Sequence, residues 1–263
     1  MKYPEIIRLD IYSTILLFLY VMAAVVVYLL GLKALIVLAE TTLAAAILDS
    51  VIYKIRKRDV TLRTLRKALI TSALVAFLVP PGTPAYAAVA ASVMAILSKH
   101  LIRLPKKKHI FNPAAFGTLL ASLAFGFPIS WWGSSVPALT WFLGIALIYK
   151  FRRLELPVTL LVTYLLLSMI GNYTGFSMLL ENMPLVFMSF FMAPEPITSP
   201  YTRNGRILFG VLAGVAIFAL GFVGRLDILL GGLLLANLSV QPINMLLKPK
   251  INAPATIEQQ QSL

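Results

Sequence analysis

The chain has no cysteine, two histidines and ten acidic residues among its 263 positions. Without cysteine it can form no disulfide, and it offers no thiolate ligands for zinc or an iron–sulfur cluster. Charge is also scarce, because charged residues make up 13% of the sequence whereas soluble proteins have about 25%. A separate soluble domain needs more surface charge than this chain can supply.

The chain is instead rich in long apolar segments, with 59% hydrophobic residues and a mean hydropathy of +0.88. This composition predicts a polytopic, all-α integral membrane protein, with residues 1–263 as a single membrane domain. Each crossing of a bilayer takes about 20 apolar residues. The predicted spans are 11–30, 34–53, 67–80, 85–101, 112–127, 136–150, 157–171, 176–193, 206–224 and 227–247.

Lysine and arginine alternate between the loops in a way that predicts orientation. All of the 23 basic residues except Lys33 and Arg225 fall on one side if both termini lie inside. The positive-inside rule therefore predicts a multi-pass protein of the cell membrane with both termini in the cytoplasm. The net charge of +13 belongs to these loops. We therefore expect a lipid bilayer around the chain and no nucleic-acid partner.

Two proline clusters interrupt the apolar pattern, LVPPGTP at 78–84 and FMAPEPITSP at 191–200. Proline ends helices because it lacks an N–H and its ring clashes with the preceding turn. The two breaks occupy equivalent places if the chain divides into five-helix halves, 1–135 and 136–263. An odd number of spans would invert the second half relative to the first, as in many transporters. The alternative is that both are ordinary proline-containing membrane loops.

Acidic residues within or beside the spans are candidates for an ion pathway, because charge in hydrocarbon is costly. Glu40 lies inside the second span and is followed by Thr41; it is either an ion or proton site or a structural carboxyl. Asp49 lies nine residues further, on the opposite helix face, where an interfacial role is favoured. Glu181 stands near the outer end of the eighth span. Glu195 follows in the second break, where it orients loop amides or pairs with Arg203.

The stretch around residues 100–113 contains both histidines and a helix start. His100 and His109 flank a basic run, and we expect both to be solvated at the interface, with no metal site. Asn112 followed by Pro113 is typical of a helix N-cap and first position. Such a helix start offers free N–H groups that suit an anionic group.

Three segments, KHIFNPAAFG, FMAPEPITSPYTRNGRILFG and LLLANLSVQPINMLLKPK, together resemble one family. It comprises the D subunit of the Rnf electron-transport complex and the B subunit of the sodium-translocating NADH:quinone reductase. The corresponding elements are Phe111 to Ala114, Ala193 to Thr198 and Leu234 to Asn244, with Glu195 where the family typically has aspartate. The resemblance implies a membrane subunit of a redox-driven ion pump that works beside other membrane subunits.

The resemblance also implies a flavin mononucleotide (FMN), joined through its phosphate to a threonine of an SGAT motif between the fifth and sixth spans. Here that loop is WWGSSVPALT, residues 131–140, and has no SGAT. Its candidate flavin contacts are Ser134, Ser135, Thr140 and Trp132, with Asn112 as a further candidate. Ser135 could carry the phosphoester, but loss of the covalent flavin is the favoured interpretation. The alternative function is a stand-alone transporter or channel with the same fold and no cofactor.

Overall fold

A computed structural model describes residues 10–104, 108–171, 182–223 and 226–247. These ranges contain ten main helices, a short 3-10 helix at Trp132–Ser134 and two paired two-residue β-strands, Arg103–Leu104 and Lys108–His109. The helices in the first half of the chain are α1 Ile11–Leu30, α2 Leu32–Ile55, α3 Leu62–Leu78, α4 Ala85–Leu101 and α5 Pro113–Phe125. Those in the second are α6 Pro137–Phe151, α7 Glu155–Ile170, α8 Met183–Met192, α9 Arg203–Leu220 and α10 Ile228–Leu246.

Local capping sets most helix starts. Six side chains each accept a backbone N–H three residues ahead. They are Asp10, Thr61, Asn112, Asn182, Thr202 and Asp227, at the beginning of α1, α3, α5, α8, α9 and α10. Such caps satisfy donors that have no partner inside the helix. Gly31 alone separates α1 from α2 and has a φ of 77°, which a residue with a Cβ adopts only with strain.

The predicted spans agree with the observed helices to within a few residues. The first part of the eighth predicted span, through residue 181, lies outside the described residues. Both proline clusters end helices as predicted, α3 at Leu78 and α8 at Met192. The last turn of α8, Met188–Met192, is a π-helix.

The helix surfaces are those of a polytopic α-helical membrane protein. Four helices, α1, α2, α9 and α10, are long and apolar enough to cross a bilayer, and shorter apolar helices pack beside them. Large apolar side chains such as Leu17, Leu43 and Ile47 are exposed on α1 and α2. Such an exposed apolar surface is suited to contact with lipid.

Three helix pairs of the first half have an equivalent pair in the second half. In the first half α1 packs on α3, α2 on α4 and α4 on α5; in the second, α6 packs on α8, α7 on α9 and α9 on α10. Across the halves, α1 meets α6, α5 meets α10, and Phe77 of α3 meets Phe187 of α8 edge-on. This is the pairing that a five-helix repeat would give, and the division into halves at residue 135 stays a prediction.

Small residues allow several of these helices to approach closely. A Cβ on Gly117 of α5 would lie 2.3 Å from the backbone nitrogen of Ala95 in α4. On α9, a Cβ on Gly210 would lie 2.7 Å from the carbonyl oxygen of Leu156 in α7. Close backbone approach through small residues stabilises helix pairs in membranes, where the hydrophobic effect does not drive association.

Candidate functional site

A cavity of about 210 Å³ opens where the Lys/Arg-rich ends of the helices meet. We call this side of the bundle the basic end and the opening the basic-end cavity. Its walls come from the start of α1, the middle of α3, the ends of α2, α4 and α6, the start of α5 and the second proline break. Aromatic and apolar side chains form part of the wall. The cationic side chains in the wall are Arg56, Arg58, Lys67, Lys99 and Arg103.

A buried ionic cluster lies behind one wall of the cavity. The Asp49 carboxylate accepts hydrogen bonds from Lys99 Nζ at 3.1 Å and from His100 Nε2 at 2.6 Å. The side chains of Asp49 and His100 are only 2% and 3% exposed. The expected solvation of His100 is wrong, because α2 and α4 pack together and bury its ring. Asp49 is buried beside it, and its interfacial role stays a prediction. Buried charge persists only where it is paired and hydrogen-bonded.

Two guanidinium groups converge on the far side of the His100 ring. Arg56 Nη1 lies 3.4 Å and Arg103 Nη2 lies 3.2 Å from His100 Nδ1. These contacts make Nδ1 an acceptor, and the proton therefore belongs on Nε2, which faces Asp49. Burial, followed by the nearby Arg56 charge, lowers the pKa of Arg103.

Glu195 is the centre of a second polar network. Its carboxylate meets His109 Nε2 at 3.2 Å and accepts hydrogen bonds from Asn112 Nδ2 and Thr198 Oγ1, both at 3.1 Å. Its side chain is 27% exposed, while that of His109 is 7% exposed. The expected solvation of His109 is therefore wrong, and Glu195 pairs with it and not with Arg203 among the contacts of the described residues.

Asn237 extends this network to α10. Its side-chain oxygen accepts the Asn112 backbone N–H at 2.8 Å, and its Nδ2 donates to the Thr198 carbonyl at 3.0 Å. Asn112 also donates to the Met192 carbonyl, the last residue of α8, at 3.3 Å. The three sequence segments that carry the family resemblance thus meet at one place.

Arg153, between α6 and α7, supports the second break from the other side. It donates to Ser199 Oγ at 2.5 Å and to the Pro194 carbonyl at 3.3 Å. Ser199 Oγ in turn donates to the Glu195 carbonyl at 2.7 Å. Burial, with a smaller effect of the Arg206 charge, lowers the pKa of Arg153. The break is therefore a fixed loop.

The other ion-pathway candidates are spread along the chain. Glu40 is half-buried in α2, and its Oε2 is buried without a hydrogen-bond partner in the described ranges. Thr41 is fully buried and donates to the Val37 carbonyl at 2.8 Å. Neither residue lines the basic-end cavity. Glu181 lies outside the described residues.

The loop Trp131–Thr140 holds the predicted flavin contacts at the opposite end of the bundle. Trp132 is buried, lies edge-on to Phe77 at 4.9 Å, and donates its indole N–H to the Val79 carbonyl at 2.9 Å. Ser134 and Thr140 are buried, and their hydroxyls donate to backbone carbonyls. Of these candidates, only Ser135 is exposed.

The packing of this loop does not form a flavin cradle. The ring of Trp132 is covered by Phe77, and a Cβ at Gly133 would fall 2.4 Å from that same phenylalanine ring. Asn112, the other candidate contact, lies at the basic end. The candidates therefore do not come together around a common space, and the flavin remains a prediction.

Sequence reasoning missed several residues of the basic end. Lys99, Arg56 and Arg103 were assigned only to loop charge, and Asn237 only to a sequence motif. One signal was present, because Asp49 and His100 fall near the same end of their predicted spans. Within the described ranges there is no group of three or more His, Asp or Glu side chains that could hold a metal ion.

Comparison with known proteins agrees with the family resemblance of the three segments. The chain matches the model of the NQR2, RnfD, RnfE family over residues 9–141 and 133–252. It is 31% identical over 137 residues to the D subunit of the ion-translocating oxidoreductase complex of Haemophilus influenzae strain PittEE, covering 49% of this chain and 38% of that protein.

Two further relatives carry the same name. The Citrobacter koseri protein is 31% identical over 109 residues, covering 39% of this chain and 31% of its own length. The Mannheimia succiniciproducens protein is 29% identical over 138 residues, covering 45% and 38%. The matched region thus spans less than two fifths of these relatives. Because the family model covers nearly the whole chain, this membrane protein belongs to the NQR2, RnfD, RnfE family.

Proposed function

We propose that the chain is a membrane component of a redox-driven, ion-translocating electron-transport complex, in the role of the Rnf D subunit. The observation that carries this proposal is the Asn112–Glu195–Asn237 network, in which the three family segments meet beside the basic-end cavity. The names of the relatives support the same assignment. Other membrane subunits would supply the electrons.

Glu40 is the best candidate for an ion- or proton-binding carboxyl. Its unpaired buried oxygen is available to a cation or a proton, and a buried acceptor without a partner is costly unless something binds it. Asp49 is different because Lys99 and His100 already occupy it. Glu195 is intermediate, since its carboxylate is bonded but still partly open to the cavity.

The second break has a positioning role in this proposal. Asn112 and Asn237 attach it to α5 and α10, so a shift of either helix would move the Glu195 carboxylate. The same shift would change the 3.2 Å contact between Glu195 and His109. An ion pathway would therefore combine Glu40 within the bilayer with Glu195 at the basic end, with Thr41 and Glu181 as the remaining predicted contributors.

A flavin, where present, would supply one-electron and two-electron transfer. In the Trp131–Thr140 loop the only exposed candidate hydroxyl for a phosphoester is that of Ser135. In-gel ultraviolet fluorescence of the denatured protein tests this attachment. Fluorescence that is lost in Ser135→Ala would support the link, and a colourless wild-type protein would exclude it.

The proposed function is tested on the complex. Purification through a tag on this chain should retain partner subunits, and the reconstituted complex should take up ions when given reductant. We expect Glu40→Gln to abolish most of this uptake, whereas Asp59→Asn, in an exposed loop, should leave it unchanged. Full uptake by Glu40→Gln would remove Glu40 from the pathway.

The second candidate function is a stand-alone transporter or channel for a small solute or ion. The packed Trp131–Thr140 loop favours it, because that loop offers no flavin cradle. The purified chain alone, reconstituted in liposomes, would then move an ion or solute without reductant. Uptake that requires both partners and reductant would decide for the complex.

Membrane orientation is part of the same proposal and is simple to test. The chain has no native cysteine, so a single introduced thiol has no background. With the basic end in the cytoplasm, Asp59→Cys should react with an impermeant maleimide only after cells are opened. Ser135→Cys should react in intact cells. The reverse pattern would invert the topology.

A further inference from the structure

Four cations in the wall of the basic-end cavity have no acidic partner among the described residues. Arg56, Arg58, Lys67 and Arg103 all line the cavity. The described ion pairs at this end are those of Asp10, Asp49, Glu155 and Glu195 with other basic groups. Glu195 is the one acidic side chain among the described residues that line the cavity, so positive charge exceeds negative charge in its wall. Low-dielectric walls strengthen the field inside such a cleft.

Two of these cations are held in a fixed fork. Arg56 donates to the backbone carbonyl of His100 at 3.3 Å, and Arg103 Nε donates to the carbonyl of Lys99 at 2.6 Å. Both guanidiniums also meet His100 Nδ1, as described above. A guanidinium has five N–H donors, so each retains donors for a ligand. Asp49 orients the imidazole, and the imidazole in turn orients both guanidiniums.

Part of the remaining wall is apolar. Ile15, Ile70, Leu74 and Phe191 line the same cavity as the fork. Lys67 lies over the ring of Tyr12, 4.8 Å from its centroid, at the cavity edge. The cavity is thus suited to a ligand with an anionic group at one end and an apolar part beside it.

We propose that the basic-end cavity binds the phosphate group of an anionic ligand, with Arg56 and Arg103 as a bidentate clamp and Arg58 and Lys67 as additional cations. Paired guanidiniums match phosphate oxygens in geometry and charge. Two sources share this chemistry. One is the headgroup of an anionic phospholipid, which basic pockets between transmembrane helices bind; the other is a soluble phosphorylated compound. This site does not depend on the proposed redox function.

The binding experiment uses the full-length purified protein and two probes. Inorganic phosphate is titrated into detergent-solubilised, delipidated protein by calorimetry. In parallel, native mass spectrometry compares retention of phosphatidylglycerol with that of phosphatidylcholine. Binding of phosphate at low salt identifies a site open to soluble ligands, and selective retention of phosphatidylglycerol alone identifies a lipid site. If the wild-type protein neither binds phosphate nor selectively retains phosphatidylglycerol, the proposal is overturned.

Substitutions of the two fork arginines test whether they bind the ligand. Arg56→Gln with Arg103→Gln should weaken binding by about tenfold or more, because both charge-assisted hydrogen bonds are lost. The matched control, Lys54→Gln with Arg63→Gln, removes two exposed charges from the same end and should change affinity much less. Equal losses in the two pairs would indicate only a diffuse surface field and would contradict the proposal.

A milder pair keeps the test valid if the glutamine variants do not fold. Arg56→Lys with Arg103→Lys preserves charge but removes the planar fork. We expect a smaller loss of affinity than with glutamine and an unchanged elution profile. Wild-type affinity in the lysine pair would exclude the clamp. Because no reductant or partner subunit is used, failure here is distinct from failure of the redox assignment.

Discussion

At both proline breaks a side chain donates a hydrogen bond to a backbone carbonyl at the helix end, but the donor and its surroundings differ. After α3, the Val79 carbonyl accepts the indole N–H of Trp132, which packs against Phe77 in an aromatic core. After α8, the Met192 carbonyl accepts the amide of Asn112, within the polar network of Glu195. Any interrupted helix leaves carbonyls without partners inside the membrane. At the first break the carbonyl is therefore satisfied within an aromatic core, and at the second it is satisfied within a polar site.

This difference locates the chemistry at the basic end. The family resemblance directs attention to the Trp131–Thr140 loop, but that loop lies against the first break and is filled by its own aromatic side chains. The second break instead faces a cavity and holds a carboxylate that is partly open to it. The comparison predicts that hydrogen bonds contribute most of the stability at the second break, whereas side-chain packing contributes most of it at the first.

Among the substitutions that remove hydrogen bonds but keep most of the side-chain volume, Asn112→Leu has the largest expected effect. The substitution keeps the side-chain volume but removes the N-cap of α5 and the bonds to Met192 and Glu195. We expect the free energy of unfolding in detergent to fall by about 3 kcal/mol, because a cap is lost and buried polar groups lose their partner.

Asn182→Leu is the matched control for that variant. Asn182 also caps a helix ahead of a proline-containing first turn, and it makes none of the bonds to the second break that Asn112 makes. We expect a loss of about 1 kcal/mol, the ordinary value of an N-cap. Equal losses in the two variants would show that the network adds no stability to the cap.

Asn237→Ala tests the other attachment of the second break. It leaves the Asn112 backbone N–H and the Thr198 carbonyl without their partner in a buried site. We expect a loss of about 2 kcal/mol. Asn244→Ala, which removes a more exposed bond to the Tyr201 N–H, should cost well under half as much. An inverted order would refute the importance of the α10 attachment.

The span limits and the breaks could be predicted from the sequence, whereas the partners of the polar residues could not. Length, hydropathy and proline act locally, so Leu78 and Met192 emerge as helix ends. By contrast, Asp49 and His100 are 51 positions apart, and Glu195 and His109 are 86 apart. Burial of these groups depends on which helices pack together, and the sequence pattern alone favours solvation for both histidines.

Trp132→Phe should have a smaller effect than either asparagine substitution at the second break. Phenylalanine keeps an aromatic ring against Phe77 but cannot donate to the Val79 carbonyl. We expect a loss of about 1 kcal/mol, because one neutral hydrogen bond is lost while most of the packing remains. Trp132→Ala provides the contrast, with an expected loss of about 4 kcal/mol, because removal of the indole leaves an empty space in the packing. A Trp132→Phe effect as large as that of Asn112→Leu would break the comparison between the two proline breaks.

The smallest effect should come from Asp10, which caps α1 as Asn112 caps α5 but is exposed. The Ser13 hydroxyl, and to a smaller extent the Arg66 charge, lower the pKa of Asp10 in the folded protein. Its contribution to stability is therefore complete above the unfolded pKa and disappears as pH falls through the lower, folded value. Asp10→Asn retains an acceptor for the Ser13 N–H but does not titrate. The difference in unfolding temperature between wild type and Asp10→Asn should thus be constant near neutral pH and change only below about pH 4. A difference that changes between about pH 5 and 8 would mean that a group other than Asp10 controls it.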